Sequence, residues 1–174
     1  MRHLFVILDT SGSIPFGGIS KVGQVNDLLR ELVAVTEGSY ESAYIITYSD
    51  KSEVYWSSAS GNGFRDIPAD RFGGRSNLGK AYTLIKEILN CKSISAKDAC
   101  LVLISDGDAT DNFSARLTEM DPTSASARVG GCIGKNRLTL DRHVGAPDLV
   151  YLDITSLTER DEFLDDIVFN LTKD

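Results

Sequence analysis

The stretch LFVILDTSGS, residues Leu4–Ser13, decides the fold. Its first part, Leu4–Leu8, is continuously apolar, as expected of a strand that is buried on both faces. Such strands belong to parallel sheets, because helices on both sides of the sheet cover them. Asp9 then opens a polar loop. The stretch therefore predicts a parallel strand whose carboxyl end leads directly into a loop of oxygen-bearing side chains.

Strand-like and helix-like segments alternate along the rest of the chain. Apolar residues recur at helical spacing over 22–33, 78–89 and 163–171, and Ser20 is a candidate cap for the first helix. Apolar or strand-like runs are found at 43–48, 54–56, 101–104, 129–133 and 149–154, with a possible short helix over 138–144. This rhythm predicts the α/β class: a Rossmann-like, doubly wound, mostly parallel sheet flanked by helices on both faces. With 174 residues the chain suits one sizeable core, so we expect a single domain over residues 1–174.

The composition excludes several classes of protein. No apolar run approaches the roughly 18 residues of a membrane span, and the first run is too short for a signal peptide. The net charge of −7 disfavours binding to nucleic acid or to an anionic membrane surface. The cysteines Cys91, Cys100 and Cys132 are odd in number and fit no close-spaced metal pattern. We therefore expect a complete chain in a reducing, cytoplasmic compartment.

Three polar loops lie at boundaries of the predicted strands and helices. Asp9–Ser13 follows the first strand, Gly73–Gly79 precedes a helix, and Ser105–Asp108 follows the apolar run at 101–104. In doubly wound sheets, ligands bind beyond the carboxyl ends of the strands. Gly12, Gly73 and Gly74 are expected to let these loops turn tightly and approach one another. The three loops together are therefore the candidate ligand site.

The side chains of these loops offer only oxygen atoms. They supply two carboxylates, Asp9 and Asp106, and three hydroxyls, Ser11, Ser13 and Ser76. Oxygen donors without His or Cys suit a hard divalent cation, above all Mg²⁺, with Mn²⁺ or Ca²⁺ as alternatives. With so few carboxylates, a bound cation would keep net positive charge. We expect it to attract one more acidic oxygen from a protein partner, a Glu or an Asp.

This pattern resembles the metal-ion-dependent adhesion site of von Willebrand factor A domains. The resemblance is carried by Asp-x-Ser-x-Ser over Asp9–Ser13, by a hydroxyl residue after a Gly-Gly loop, and by the strand that ends in Ser105–Gly107. It covers essentially the whole chain and implies the von Willebrand factor A fold. It also implies that the loop hydroxyls bind the metal and that the aspartates act mostly through water. Ser76 stands where the family usually has Thr; it keeps the hydroxyl and lacks the methyl group.

The strings Leu78–Ala81 and Asp106–Asp111 are similar to bacterial cytoplasmic A domains of the tellurite-resistance TerY group. That resemblance implies a part in a stress-response or phage-defence module. The expected function is metal-dependent binding of a protein, not catalysis. One alternative is a structural domain with a vestigial metal site. A phosphatase of the haloacid-dehalogenase type is a weaker one, because Ser11 stands where its general acid is needed, and a nucleotide-binding Rossmann domain lacks its glycine-rich turn.

Several neighbours of the site leave two interpretations open. Asp108 and Asp111 either extend the acidic rim or cap the following helix. Arg75 is either a solvated surface side chain or a contact for the partner's carboxylate. Trp56 is either a contact residue or packed. His143 has no candidate nucleophile near it in sequence, so no catalytic role is assigned to it.

Overall fold

The computed structural model describes residues 2–15, 19–107, 109–113, 115–116, 127–133, 140–141, 143 and 150–173. The described strands and helices follow one another in this order: β1 (Arg2–Asp9), α1 (Ile19–Thr36), β2 (Tyr40–Tyr48), β3 (Ser52–Ser57), α2 (Leu78–Lys92), β4 (Ala99–Ser105), β5 (Ala127–Cys132), β6 (Val150–Tyr151) and α3 (Leu157–Thr172). Short turns of 3₁₀ helix lie at Ser58–Ser60, Ala69–Arg71 and Ala96–Asp98.

The described strands form one sheet in the order β3-β2-β1-β4-β5-β6. β1 lies in the interior, where it pairs in parallel with β2 on one side and with β4 on the other. β5 and β6 continue the parallel arrangement, and β3 runs antiparallel to β2 at the edge. The predicted mostly parallel α/β sheet is confirmed.

Helices cover both faces of this sheet. Leu4, Val6 and Leu8 of β1 belong to a core cluster that includes the apolar faces of α1 and α3. Phe5 and Ile7 belong to a second cluster, on the other face, that includes the apolar residues of α2. The continuous apolar run of β1 is thus buried on both sides, which confirms the sequence interpretation of Leu4–Leu8.

Some predicted boundaries differ from the structure. β2 begins at Tyr40, before the predicted start at residue 43, because its first residues pair with Arg2 and His3 of β1 through main-chain bonds that need no apolar side chain. β6 is short, and Asp153 begins a turn in which its carboxylate accepts from the Thr155 amide. Ser20 lies within α1, so it does not precede the helix as a cap residue would. Most of the predicted helix at 138–144 lies outside the described residues.

The burial of two of the three cysteines agrees with a packed α/β domain. Cys91 is exposed, whereas Cys100 and Cys132 are buried, and none of the three forms a disulfide. Burial raises the pKa of the Cys100 thiol to about 12, so this side chain behaves as a small apolar group in β4. Over the described part of the chain, no helix combines the length and the apolarity that crossing a membrane requires.

Candidate metal site

The site lies where β1, β2 and β4 end side by side. Asp9, the last residue of β1, is paired with Tyr48, the last residue of β2. Ser105 ends β4, one position beyond the pairing of Leu8 with Ile104. Because side chains alternate along a strand, these three terminal side chains point to the face that α2 covers. The structure therefore brings a carboxylate, a phenol and a hydroxyl together at the carboxyl edge of the sheet.

The carboxylate of Asp9 is the centre of this arrangement and is completely buried. Its Oδ1 accepts a hydrogen bond of 2.8 Å from the main-chain N–H of Ser11. Its Oδ2 accepts from the hydroxyls of Ser105 at 2.9 Å and Ser76 at 3.0 Å, and from the phenol of Tyr48 at 3.3 Å. Donors from each of the neighbouring segments thus fix Asp9 in one position.

The negative charge of Asp9 has no positive partner among the described residues, since each of its donors there is uncharged. Burial raises the pKa of this carboxyl, and the nearby negative charge of Asp106 raises it further. The hydrogen bonds from Ser11 and Ser105 act in the opposite direction and do not cancel the effect of burial. The site therefore holds a buried carboxylate, beside a second carboxylate, to which the described part of the chain supplies no countercharge.

The serine hydroxyls surround this carboxylate. Ser11 and Ser13 place their Oγ atoms 2.9 Å apart. Ser11 and Ser76 are 3% and 2% exposed, whereas Ser13 is exposed at the surface. Asp106 is half-buried and near enough for its charge to act on Asp9. All five residues predicted from the sequence therefore lie in one place, with Ser13 on the side that faces solvent.

Main-chain bonds join the first loop to the second. The N–H of Gly12 donates to the carbonyl of Gly74 at 3.1 Å, and the N–H of Gly73 donates to the carbonyl of Thr10 at 2.8 Å. Gly74 has a φ of +78°, and a Cβ there would lie 2.2 Å from Oδ2 of Asp50, so only glycine fits. A Cβ at Gly73 would meet nothing within 4 Å. The expected close approach thus requires glycine at Gly74 and not at Gly73.

The third loop turns back on the end of β4. Gly107 has a φ of +94°, and its N–H donates to the hydroxyl of Ser105 at 3.0 Å. The Ser105 hydroxyl therefore donates to Asp9 and accepts from the turn that carries Asp106. Asp108 lies outside the described residues.

Asp111 caps α2, a helix that precedes it in the chain. Its Oδ1 accepts from the N–H of Leu78 and its Oδ2 from the N–H of Gly79, the first residues of α2. The predicted capping role therefore applies to a helix that precedes Asp111 in the chain. The sequence could not indicate this, because the two segments are more than 30 residues apart.

The structure also shows the positions of Arg75, Trp56 and the two histidines. Arg75 is exposed in the second loop. Trp56 is partly buried, and its ring N–H donates to the carbonyl of Asn62 at 2.9 Å, so it packs against its own loop. His3 lies at the amino end of β1, whereas His143 is buried, stacked on the ring of Tyr82 and hydrogen-bonded to its phenol.

These residues fit a hard divalent cation. Among the described residues, no group of three or more His, Cys, Asp or Glu side chains is arranged so that it could hold a metal ion. A cation here would depend on the hydroxyls of Ser11, Ser13 and Ser76, with the carboxylates of Asp9 and Asp106 supplying charge. Hydroxyl and carboxylate oxygens are the donors that Mg²⁺ prefers, and the missing countercharge of Asp9 favours a cation at this place.

Sequence reasoning placed Ser105 in the third loop without a role and did not name Tyr48, although both hold Asp9. Each is the last residue of a strand that neighbours β1. A search for polar residues at the ends of neighbouring apolar strands would have found both of them.

Comparisons with known proteins identify the fold. No protein-family model and no curated sequence matches the chain. Among solved structures, proximal thread matrix protein 1 of the mussel byssus, with a zinc-occupied MIDAS motif, is similar with a TM-score of 0.72 and 16% identity, over 98% of this chain and 48% of that one. Manganese-loaded TRAP protein of Plasmodium vivax has a TM-score of 0.68 and 13% identity, over 97% and 73%. A von Willebrand factor type A structure from Catenulispora acidiphila has a TM-score of 0.67 and 15% identity, over 99% and 43%.

The chain has the von Willebrand factor A fold. It spans about half the length of the mussel protein, with 48% of that chain covered. At 13–16% identity the likeness concerns the fold alone, and the zinc and the manganese are properties of the mussel and Plasmodium proteins.

Proposed function

We propose that this von Willebrand factor A domain binds a protein partner through a divalent cation. The cation would be held by the residues that meet at the carboxyl edge of the sheet: Asp9, Ser11, Ser13, Ser76 and Asp106. The observation that carries the proposal is the buried, uncompensated carboxylate of Asp9 within a group of serine hydroxyls.

The geometry suits these side chains to different roles. Asp9 already accepts four hydrogen bonds, so its role is to supply charge from behind and to reach the cation through water. Ser11 and Ser13 turn their hydroxyls toward each other and are suited to direct coordination. A bound cation, neutralised by so few carboxylates, would supply a positive charge that a partner's Glu or Asp can ligate.

The donor chemistry favours Mg²⁺, and Mn²⁺ or Ca²⁺ are compatible with it. Zinc usually takes nitrogen and sulfur ligands, which these loops do not offer. The zinc- and manganese-loaded relatives support a divalent ion in this fold without selecting one for this chain.

The arrangement also argues against the enzyme alternative. A nucleophilic aspartate needs an accessible oxygen, whereas Asp9 is 0% exposed and both of its oxygens accept hydrogen bonds. Ser11, two residues on, cannot serve as a general acid at neutral pH. A structural domain with a vestigial site is the remaining alternative.

The wider setting is also proposed from the sequence. The resemblance to bacterial tellurite-resistance A domains supports a cytoplasmic protein of a stress-response or defence module. A net charge of −7 argues against nucleic acid and anionic membranes as partners. The two core clusters on opposite faces of one sheet support a single domain over residues 1–174.

Calorimetry with Mg²⁺ on chelator-treated protein tests the site. We expect saturable binding at one site by the wild type and at least roughly tenfold weaker binding by Ser13→Ala. Ser60→Ala is the matched control, because this exposed serine bonds only within its own loop, and it should bind like the wild type. A vestigial site predicts no saturable heat for any of them.

Capture of proteins from a bacterial lysate tests the partner. We expect the wild-type domain to retain a partner in Mg²⁺ and release it with EDTA, and Ser13→Ala to retain none. The interaction should also be lost when one acidic residue of the partner is changed to Ala. Retention that chelation leaves unchanged would show that the site is not the binding surface.

A further inference from the structure

The third loop fastens the second loop directly beside Ser76. The N–H of Thr110 donates to the carbonyl of Ser76 at 2.7 Å, and the Thr110 hydroxyl donates to the same oxygen at 3.0 Å. Ser76 is the residue whose hydroxyl reaches Asp9 from this loop. Thr110 therefore fixes the main chain of a residue in the metal site without contacting the Asp9 carboxylate itself.

The next residue, Asp111, holds the helix that follows Ser76. Its two carboxylate oxygens accept from the N–H groups of Leu78 at 3.0 Å and Gly79 at 2.8 Å. The first N–H groups of a helix have no partner within the helix, and a residue just before it normally supplies one. Asn77 occupies that position in α2 but makes no capping bond. The cap comes instead from the loop that also carries Asp106.

Gly79 shows how closely this loop lies against α2. A Cβ on Gly79 would lie 2.7 Å from Oδ2 of Asp111 and 3.3 Å from Cγ of Arg116. Behind the contact, the buried ring of Phe113 lies 6.0 Å from the ring of Tyr82 in α2. The loop is thus anchored in the core on one side and bonded to the start of α2 on the other.

We propose that Thr110 and Asp111 form a clasp that positions the Ser76 hydroxyl relative to Asp9 and Asp106. The inference rests on the proposed metal-binding function and deepens it, because it assigns positioning residues to the same site. A cap supplied by α2's own sequence would stabilise the helix equally well. A cap from the Asp106 loop additionally fixes the distance between the two loops that contribute ligands.

Metal affinity distinguishes this role from ordinary helix capping. Loss of residues that orient metal ligands typically lowers affinity by about 10- to 100-fold. We expect Asp111→Ala to weaken Mg²⁺ binding at least about tenfold, and Thr110→Val, which keeps the main-chain bond, by a few-fold. Asp111→Asn keeps one acceptor oxygen and should recover part of the loss.

Two further variants separate position from stability. Ile85→Val trims a buried side chain of α2 away from the clasp and is the control for a weakened helix. It should lower the melting temperature and leave Mg²⁺ affinity within about twofold. Gly79→Ala favours helix formation but forces Asp111 away, so it should weaken Mg²⁺ binding without loss of helix α2. Equal Mg²⁺ affinities for Asp111→Ala and Ile85→Val would overturn the clasp.

Amide hydrogen exchange on the metal-free protein keeps this inference separate from the proposed function. The Gly12 N–H, which bonds to the carbonyl of Gly74, reports how well the first and second loops stay together. We expect its exchange to be about tenfold faster in Asp111→Ala and unchanged in Ile85→Val. Absence of Mg²⁺ binding by the wild type would refute the proposed function and the metal role of the clasp. Unchanged Gly12 exchange would refute the clasp itself.

Discussion

Replacing Asp9 by Asn should stabilise the metal-free protein, although Asp9 accepts four hydrogen bonds. Burial and the charge of Asp106 raise the pKa of Asp9, so the folded state disfavours its charged form. Each pKa unit of such a shift corresponds to about 1.4 kcal/mol. Asn keeps the shape and one acceptor oxygen, and serine hydroxyls can rotate to accept from its amide. We expect the free energy of unfolding of the metal-free protein to be higher for Asp9→Asn than for the wild type.

Asp9→Ala should behave differently, because it removes the acceptor as well as the charge. The phenol of Tyr48 and the N–H of Ser11 are both buried and would lose their partner. Each unsatisfied buried donor costs about 1–3 kcal/mol. Asp9→Ala is therefore expected to be roughly 2–4 kcal/mol less stable than Asp9→Asn. Because Asp9 is 0% exposed, water cannot take the place of the lost acceptor in Asp9→Ala.

Adding Mg²⁺ should reverse the order of wild type and Asp9→Asn. A ligand at 100 times its dissociation constant stabilises a folded protein by about 2.7 kcal/mol, and only the wild type should gain this. Urea unfolding followed by circular dichroism, in EDTA and in saturating Mg²⁺, measures all the differences. Lower stability of Asp9→Asn than of wild type in EDTA would show that the buried charge is compensated, and the reasoning for a cation would fail.

Two further predictions concern Ser105 and His143. Ser105→Ala removes a hydrogen-bond donor to Asp9 and the acceptor for the Gly107 N–H. It should lower the free energy of unfolding by about 1–2 kcal/mol and weaken Mg²⁺ binding, measured by calorimetry, about tenfold. Unchanged Mg²⁺ affinity would make Ser105 purely structural. Burial lowers the pKa of His143 from 6.5 to about 3. Between these two pH values the unfolded chain binds a proton at His143 and the folded protein does not. Stability should therefore fall by up to about 1.4 kcal/mol per pH unit as the pH drops below 6.5, and His143→Gln should flatten that slope in urea unfolding at about pH 7 and about pH 5. An equal slope in both proteins would contradict it.

The fold was predictable because its determinants are local in sequence. A strand that is covered on both faces must be apolar at every position, and Leu4–Leu8 shows this directly. The helical segments repeat their apolar residues with the period of one buried face. The ends of β1 and β4 could be located for the same reason, since the apolar run stops where the carboxyl edge of the sheet begins. This is why Asp9 and Asp106 could be expected at one edge from the sequence.

The contacts within the site depend on register and were not predictable. Whether Tyr48 reaches Asp9 depends on the pairing of β2 with β1, which a single sequence does not reveal. Asp111 caps α2 across a gap of more than 30 residues, a contact that local capping rules do not reveal. The sequence also does not explain why residue 79 is glycine, because the atom that leaves no room for a side chain there is an oxygen of Asp111, a tertiary neighbour.

The exposure of the site residues sets the side from which a partner would approach. Asp9, Ser11 and Ser76 are at most 3% exposed, whereas Ser13 is open to solvent and Arg75 lies exposed in the second loop. A partner's carboxylate would therefore approach the cation beside Ser13. The buried carboxylate of Asp9 would lie on the other side of the cation, where the partner's carboxylate does not reach it. Such a site discriminates through charge more than through contact area, because a neutral side chain would leave the cation under-neutralised. In the proposed function, the fixed, buried half of the site would hold the ion, and its open half would select an acidic partner.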